Sequence, residues 1–233
     1  MQTEVLADSG AVAQAAAELI AADARHCVAE RGRFVLAVSG GHTPAMMLRA
    51  LAGLPVPWDR VHVFQVDERV APLGDPARNL TQLHECLLAH VPLRPDQVHA
   101  MPVDEADLDA AARRYAAALC AIAGKPPVLD LVHLGLGVDG HTASLVPGDP
   151  SLDVMDAEVA LAGPYQGRRR MTLAFPAIDR ARRVLWVVTG GEKSEVLQRL
   201  QAGDRAIPAG RVRQDRATLI MDLAAGPQMN TGQ

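Results

Sequence analysis

Aromatic residues are scarce in this sequence. Its 233 residues include three Phe, two Trp and two Tyr. Sites that bind bases or single-stranded nucleic acid stack them on several aromatic side chains, so this composition argues against such a site. The formal net charge of -4 also argues against a broad basic face that grips a nucleic-acid backbone. We therefore expect no nucleic-acid partner, while a local basic pocket for a small anion stays compatible with the composition.

Cysteines and long apolar runs are also rare. Cys27, Cys86 and Cys120 lie far apart and form no CxxC or zinc-binding spacing, so we expect buried, reduced thiols of a cytosolic protein. No apolar run approaches the ~20 residues needed to cross a bilayer, and the first ten residues lack the apolar core of a signal peptide. These absences predict a soluble, cytoplasmic protein with no membrane partner.

The chain does contain a regular alternation of apolar strands and amphipathic helices. Because aromatic residues are few, Ala, Val and Leu must fill the interior, and such a core suits helices packed closely on a sheet. Apolar strands that alternate with helices are typical of a mostly parallel sheet covered on both faces. No linker interrupts the pattern, so we predict one α/β domain over residues 1–233. The predicted helices cover 10–31, 43–52, 80–89, 105–123 and 193–202, and the predicted strands cover 33–38, 61–66, 98–101, 129–134, 171–174, 184–188 and 218–221, the last of which closes the sheet.

Polar or glycine-rich loops follow three of the predicted strands, where the ligands of open α/β sheets bind. The first loop, Ser39-Gly40-Gly41, precedes a helix whose first turn offers free N–H groups, so it suits a phosphate. It lacks the lysine of a P-loop and the full glycine pattern of a dinucleotide fold. We predict that Thr43 caps the following helix and that Pro44 takes its first position. The alternative to a phosphate site is a plain tight turn with this Thr cap.

The second loop begins with Asp67-Glu68-Arg69 and is predicted to run from 67 to 78. A carboxylate at the end of a buried strand needs a partner or a ligand, so Asp67 and Arg69 are candidate site residues. The alternative is structural: an Asp that caps the next turn, and an Asp–Arg pair that holds the loop.

The third loop, 135–142, contains Asp139 and His141 on either side of a glycine. A carboxylate that orients an imidazole makes it a good general base, so these two residues are the candidate catalytic pair. Two residues this close in a loop need not touch, so Asp139 could instead act on the substrate, and a purely structural loop is the further alternative. None of the other His residues has ligand-like spacing with this pair, so we expect no metal.

Two cations stand near element borders. The run Arg168-Arg169-Arg170 precedes a strand, and Lys193 lies near a helix start. Runs of charge are usually solvated, which is our interpretation of Arg168 and Arg169, whereas Arg170 and Lys193 are placed to meet an anion. The sequence has no GxSxG elbow, so serine-nucleophile chemistry finds no support.

Together these stretches resemble the 6-phosphogluconolactonase family. The resemblance extends in order over nearly the whole chain, and its most specific part, the glycine–Asp–Gly–His stretch, is shared with glucosamine-6-phosphate deaminases and isomerases. This sequence departs from the family at Val146, where Phe is common, and at His42, where another polar or basic residue is common. The matching stretches are LAVSGGHTP (36–44), VDERVAP (66–72) with Asn79, DLVHLGLGVDGHTASLVPG (130–148), RMTLAFPAI (170–178) and VVTGGEKSEVL (187–197).

The resemblance implies a Rossmann-like, mostly parallel α/β sheet of the sugar-phosphate isomerase type. It implies hydrolysis of 6-phospho-D-glucono-1,5-lactone to 6-phosphogluconate in the pentose phosphate pathway, with no metal or organic cofactor, by a monomer or weak homo-oligomer. The roles it implies are a base that activates water (His141), support for that base or for substrate hydroxyls (Asp139), phosphate binding (Ser39, Gly40, Gly41, Arg170 and Lys193) and contact with the sugar ring or carbonyl end (Asp67 and Arg69).

Two other functions remain open at this point. A deaminase or isomerase of amino-sugar phosphates needs a further loop carboxylate after the histidine, and residues 143–148 contain no acid, which favours the lactonase. A sugar-phosphate sensor without catalysis would keep the glycine loop and the cations but would not need His141.

Overall fold

The computed structural model describes residues 1–226, and residues 227–233 of the predicted domain lie outside the described part. The strands are β1 (Gln2–Leu6), β2 (Phe34–Val38), β3 (Val61–Gln65), β4 (Asp67–Arg69), β5 (Val98–His99), β6 (Leu131–Leu134), β7 (Val159–Tyr165), β8 (Arg168–Leu173), β9 (Arg183–Val188) and β10 (Ala217–Asp222). The helices are α1 (Ser9–Arg31), α2 (His42–Ala52), α3 (Asn79–Cys86), α4 (Leu108–Ala123), α5 (Phe175–Asp179), α6 (Ser194–Gln201) and α7 (Pro208–Arg211).

Seven strands form one parallel sheet in the order β1-β10-β9-β6-β2-β3-β5. Both faces of this sheet are buried, which explains why the sequence of β2 is apolar at every position. Phe34, Leu36 and Val38 pack on the face covered by α1, α2 and α3, while Val35 and Ala37 pack on the face covered by α4. Alternate side chains of a strand point to opposite faces, so a strand inside such a sheet needs apolar residues at every position. The predicted mostly parallel α/β fold is confirmed.

A second, antiparallel sheet of order β4-β8-β7 corrects two predictions. Residues 67–69 were expected to begin a loop, but they form β4 and pair with β8. The predicted strand at 171–174 is the second half of β8 and belongs to this small sheet. Polar residues in β4 and arginines in β8 disguise both strands, because Asp67, Arg69 and Arg170 line a cleft instead of packing in an apolar core.

Strand β10 does not close the main sheet, contrary to the prediction. It lies inside, between β9 and the edge strand β1. The sequence QTEVL of β1 is exposed over its first four residues, three of which are polar, so it lacks the apolar character by which a strand is recognised in a sequence. Polar residues on an edge strand also protect it from pairing with another chain.

The start of α2 corrects the prediction that Thr43 is its cap. The N-cap is Gly41, with a φ of +130°, and Thr43 is the second residue of the helix. The Thr43 hydroxyl lies 2.6 Å from the Thr189 hydroxyl, so it joins α2 to the end of β9. Pro44 is the third helical residue, where a missing N–H group also costs no helical hydrogen bond.

The cysteines are free thiols, with Cys27 and Cys86 buried and Cys120 partly exposed, so the expectation of burial holds for two of the three. Over residues 1–226, no helix combines the length and apolar character needed to span a bilayer.

Candidate active site

A cleft of about 630 Å³ opens at the carboxyl ends of the parallel strands. The chain adds β3 on one side of β2 and β6 on the other, so the loops after β2 and β6 diverge and leave a crevice between them. Open α/β sheets bind ligands at such a switch point. The cleft lining includes every predicted site residue except Asp139: Ser39, Gly40, Gly41, Asp67, Arg69, His141, Arg170 and Lys193.

The loop after β2 owes its shape to close contacts. A side chain at Gly40 would collide with Asn79, so glycine is required at this position. Ser39 donates its N–H to His133 Nδ1 (3.3 Å) and its hydroxyl to the His133 carbonyl (3.1 Å). The Gly41 N–H donates to Gln82 Oε1 at 2.7 Å. Ser39 therefore anchors the loop to β6 with both of its donors.

Helix α2 offers further donors to the cleft. Its first internal hydrogen bond runs from Ala45 N–H to the Gly41 carbonyl. The N–H groups of His42 and Thr43 precede that bond and have no acceptor within the helix. Both residues line the cleft, at the positive end of the helix dipole.

Asp67 is buried beside the cleft and held by two neighbours. Ser144 donates its hydroxyl to Asp67 Oδ2 at 2.6 Å, and Asn79 donates its amide to Oδ1 at 3.1 Å. Burial raises the pKa of Asp67, although the Ser144 hydrogen bond and the charges of Arg69 and Arg170 oppose that rise.

The loop is held by Glu68 and by Arg69, whose Nη1 donates to the Ala77 carbonyl at 2.7 Å, and not by the Asp–Arg pair that the structural alternative assumed. Glu68 accepts hydrogen bonds from the N–H groups of Asn79 (2.7 Å) and Leu80 (2.8 Å) in the first turn of α3. It also forms a buried ion pair with Arg78 at 3.4 Å. The Asp67 carboxylate does not bond to the backbone of α3, and its side-chain partners are Ser144 and Asn79.

Arg69 and Arg170 lie directly opposite each other in the antiparallel ladder of β4 and β8. Among residues 1–226, the Nε atoms of both arginines are buried and have no hydrogen-bond partner. Buried donors without acceptors are uncommon, so this pair of arginines marks a candidate binding site for an acceptor from outside the chain. Lys193 lines the same cleft from the turn that precedes α6.

Asp139 and His141 are in contact. Asp139 Oδ1 lies 2.6 Å from His141 Nδ1 and also accepts the His141 N–H at 3.1 Å. Burial alone would raise the pKa of Asp139, but the hydrogen bonds from His141 lower it overall. Because the carboxylate is ionised, Nδ1 is the protonated nitrogen of the neutral ring, and Nε2 is left to accept a proton. A side chain at Gly137 would collide with both residues, so glycine is required beneath the pair.

Tyr165 is a site residue that the sequence analysis missed. Its hydroxyl donates to Asp139 Oδ2 at 3.1 Å, and its ring lies 5.0 Å from the Arg170 guanidinium. It belongs to β7, which was not predicted as a strand, and no local motif links it to the loop 26 residues earlier. The one signal available was its rarity, since the chain has two Tyr residues.

No group of three or more His, Cys, Asp or Glu side chains within residues 1–226 is arranged to hold a metal ion. The cleft presents an imidazole, that of His141 held by Asp139 from behind, together with two arginines and a lysine. Such a set fits an anionic substrate and a proton transfer.

A family model for glucosamine-6-phosphate isomerases and 6-phosphogluconolactonase matches residues 7–221. The chain belongs to this family. A 6-phosphogluconolactonase of Synechocystis sp. is 34% identical to it over 98% of each chain. The structure of the 6-phosphogluconolactonase from Thermotoga maritima is 26% identical, covers 95% of this chain and 98% of that one, and superposes with a TM-score of 0.85. The resemblance inferred from the sequence is confirmed.

The isomerase/lactonase family includes more than one reaction on the same fold. A monomeric glucosamine-6-phosphate deaminase superposes with a TM-score of 0.84 over 97% of this chain and 98% of that one, at 20% identity. That likeness shows the fold alone. The choice between the reactions of the family therefore depends on the side chains in the cleft.

Proposed function

We propose that this chain is a 6-phosphogluconolactonase, an ester hydrolase that converts 6-phospho-D-glucono-1,5-lactone to 6-phospho-D-gluconate in the pentose phosphate pathway. The observation that carries the proposal is the contact of Asp139 with His141 in a cleft that also holds the unpaired Nε atoms of two arginines. Hydrolysis of a phosphorylated lactone requires a base to activate water and a cationic site to bind the phosphate.

His141 is the proposed general base. Asp139 holds the proton on Nδ1, so Nε2 takes a proton from water as the water oxygen attacks the lactone carbonyl. The carbonyl oxygen becomes an oxyanion, and the bond from the carbonyl carbon to the ring oxygen then breaks. The imidazolium returns the proton to the ring oxygen that leaves, which becomes a hydroxyl group. A lactone of this kind is an activated ester, so the reaction needs neither a metal nor an organic cofactor.

The proposed phosphate site lies at the start of α2. The N–H groups of Gly40, His42 and Thr43 meet the phosphate at the positive end of the helix dipole. Arg170 and Lys193 supply the charge, and the phosphate displaces Gln82 where it needs the Gly41 N–H group. Ser39 holds this loop in place through its two hydrogen bonds to His133.

Arg69 and Asp67 are proposed to hold the sugar ring and the carbonyl end of the substrate. Arg69 Nε is a buried donor aimed at no group of residues 1–226, and it would serve a substrate oxygen. Asp67 faces the cleft with its carboxylate already fixed by Ser144, so its remaining lone pairs can accept a sugar hydroxyl.

A deaminase reaction is the main competing proposal, and the position of Asp149 argues against it. Asp149 is the first acidic residue after His141. Its two carboxylate oxygens accept the N–H groups of Ser151 and Gly163, both at 2.8 Å, and it does not line the cleft. The additional carboxylate that ring opening and proton transfer require is therefore not supplied by this loop.

The test is the hydrolysis of freshly generated 6-phosphogluconolactone, measured against its spontaneous background. The wild type should accelerate it strongly, and His141→Gln should lower kcat by roughly 100-fold or more, the effect expected from loss of a general base. His84→Gln, the same substitution at an exposed histidine of α3, is the matched control and should keep wild-type kcat. Release of ammonia from glucosamine 6-phosphate in place of lactone hydrolysis would establish the deaminase instead.

A further inference from the structure

We infer that Tyr165 is a positioning residue that holds Asp139, and through it the ring of His141, in the geometry of the general base; this inference rests on the function proposed above. Tyr165 does not line the cleft, and neither does Asp139. Its effect on the reaction would therefore be exerted through the catalytic pair.

The hydrogen bonds of Asp139 are divided between its two oxygens. Oδ1 accepts from the ring and the backbone N–H of His141, and Oδ2 accepts from the Tyr165 hydroxyl at 3.1 Å. A carboxylate held at one oxygen can rotate about its bond to Cβ, whereas one held at both oxygens cannot. The tyrosine therefore fixes the plane of the carboxylate and hence the direction of His141 Nε2.

The hairpin that carries Tyr165 is built to aim it at this loop. Gln166 and Gly167 form the two-residue turn between β7 and β8, and both have positive φ, as in a type I′ turn. Between the pairs Ala162–Arg170 and Tyr165–Arg168, β7 contains two residues and β8 contains one, which is a β-bulge. Bulges bend a strand and re-aim its side chains, often next to active sites.

The bulge is held in place from outside the hairpin. Its first residue, Gly163, donates its N–H to Asp149 Oδ2 at 2.8 Å. Its second residue is Pro164, which has no N–H to leave unpaired. The end of β7 is thus fixed to the loop after β6, the same loop that contains the catalytic pair.

Tyr165 also connects the catalytic pair to the cation of the anion site. The Arg170 guanidinium lies 5.0 Å from the centre of the Tyr165 ring, within the range of a cation–π contact. Arg170 Nη2 donates to the Tyr165 carbonyl at 3.4 Å. Tyr165 therefore contacts both parts of the site. Its hydroxyl bonds to Asp139 of the catalytic pair, and its ring packs against Arg170 of the anion site.

Tyr165→Phe separates these two contacts, because it removes the hydroxyl and keeps the ring. We expect kcat to fall about 10-fold, the size of one hydrogen bond to a charged group, while KM stays within about twofold of wild type. Tyr115→Phe is the matched control, since Tyr115 is the other tyrosine and its hydroxyl bonds to the buried backbone of Gln65. That variant should lose stability and keep kcat.

The Asp139→Ala background decides whether the effect passes through the carboxylate. In that background Tyr165→Phe should cause a smaller loss of kcat than in the wild type, because the carboxylate acceptor is gone and only the longer 3.4 Å contact of the Tyr165 hydroxyl with His141 Nδ1 is left. An equal loss in both backgrounds, or wild-type kcat for Tyr165→Phe, would overturn the inference while lactone hydrolysis by the wild type would still support the proposed function.

A second measurement does not depend on the reaction. Long-range ¹⁵N–¹H spectra of the imidazole groups, with His141 assigned by comparison with His141→Gln, report which ring nitrogen carries the proton. We expect the Nδ1–H form in the wild type and a mixture of the two tautomers in Tyr165→Phe. An unchanged His141 signal would show that Tyr165 does not position the pair, whichever substrate the enzyme uses.

Discussion

Arg69 and Arg170 face each other in the β4–β8 ladder, where like charges repel. Burial, followed by the charge of Arg69, lowers the pKa of Arg170 below its usual range. Negative charge on a bound substrate relieves this repulsion: the phosphate is proposed to meet Arg170, and the carbonyl end, which becomes an oxyanion, is proposed to meet Arg69. At the scale of single residues, negative charge on the substrate is the property that this wall of the cleft recognises best.

Loss of a phosphate-binding cation should affect binding more than the chemical step. The phosphate does not change during hydrolysis of the lactone, so its contacts stabilise ground and transition states almost equally. Arg170→Ala and Lys193→Ala should raise KM more than they lower kcat, by roughly 10- to 150-fold, the range for a charge-assisted hydrogen bond of about 1.5–3 kcal/mol. The measurement is the ratio of kcat/KM for phosphorylated and unphosphorylated gluconolactone, which both variants should bring close to one.

The matched control for these variants is Arg168→Ala, on the same strand. Arg168 forms an ion pair with Asp75 at 3.2 Å, and it should keep the wild-type ratio. If Arg170→Ala and Lys193→Ala also kept that ratio, the phosphate would be bound elsewhere in the cleft.

At the scale of elements, a turn could be predicted where its own residues determine its conformation. Ser39-Gly40-Gly41 follows an apolar strand and precedes an amphipathic run, so both the turn and its place at the edge of the cleft could be predicted. The prediction that Thr43 is the cap was wrong because the hydroxyl has a competing partner in Thr189, which is distant in the sequence. The β7–β8 hairpin and Tyr165 were missed for the same reason: their geometry depends on Asp149 and Asp139, and no local pattern encodes it.

Gly40→Ala should damage the site through Asn79. The added methyl group would collide with the Asn79 side chain, which donates to both the carbonyl and the carboxylate of Asp67. We expect the free energy of unfolding to fall by about 1–3 kcal/mol, as for other overpacked positions, and kcat/KM to fall at least 10-fold. Urea denaturation and the lactone assay measure the two effects.

Gly53→Ala, at the other end of the same helix, is the control for Gly40→Ala. Gly53 has a φ of −86°, and an added methyl group would lie 3.5 Å from its nearest neighbour. This variant should be neutral or more stable by about 0.4–1 kcal/mol, because alanine restricts the unfolded chain. Equal behaviour of the two variants would show that the turn at Gly40 is not tightly packed.

At the scale of the whole molecule, apolar strands alternating with helices were enough to predict the parallel sheet. The order of its strands was not predictable, because a polar edge strand such as β1 contributes hydrogen bonds but little apolar surface. Strand β4 of the small sheet was also missed, because its three residues are polar: Asp67 and Arg69 line the cleft, and Glu68 holds the loop. The fold could be predicted where burial dictates the residue types, and it could not where function or solvent dictates them.

His133, at the centre of the sheet, makes the free energy of unfolding depend on pH. It lies in β6, in the middle of the sheet, and is fully buried, with its Nδ1 accepting the Ser39 N–H. Burial lowers the pKa of His133 to about 3, whereas the unfolded chain titrates near its usual 6.5. Between these two values the unfolded state binds one more proton than the folded state. The free energy of unfolding therefore decreases as the pH falls from about 6.5 towards 3, by about 1.4 kcal/mol per pH unit for this group.

His133→Asn should remove that dependence, whatever it does to stability at neutral pH. We expect the slope of the unfolding free energy against pH, measured by urea denaturation between pH 4.5 and 6, to be smaller than the wild-type slope by about 1.4 kcal/mol per pH unit. Contributions from His62, His99 and the carboxyl groups are common to both proteins and cancel in this comparison. His26→Asn, the same substitution at an exposed position of α1, should keep the wild-type slope. A wild-type slope in His133→Asn would mean that His133 is protonated within the folded sheet, and the hydrogen bond that anchors the loop at Ser39 would then need another explanation.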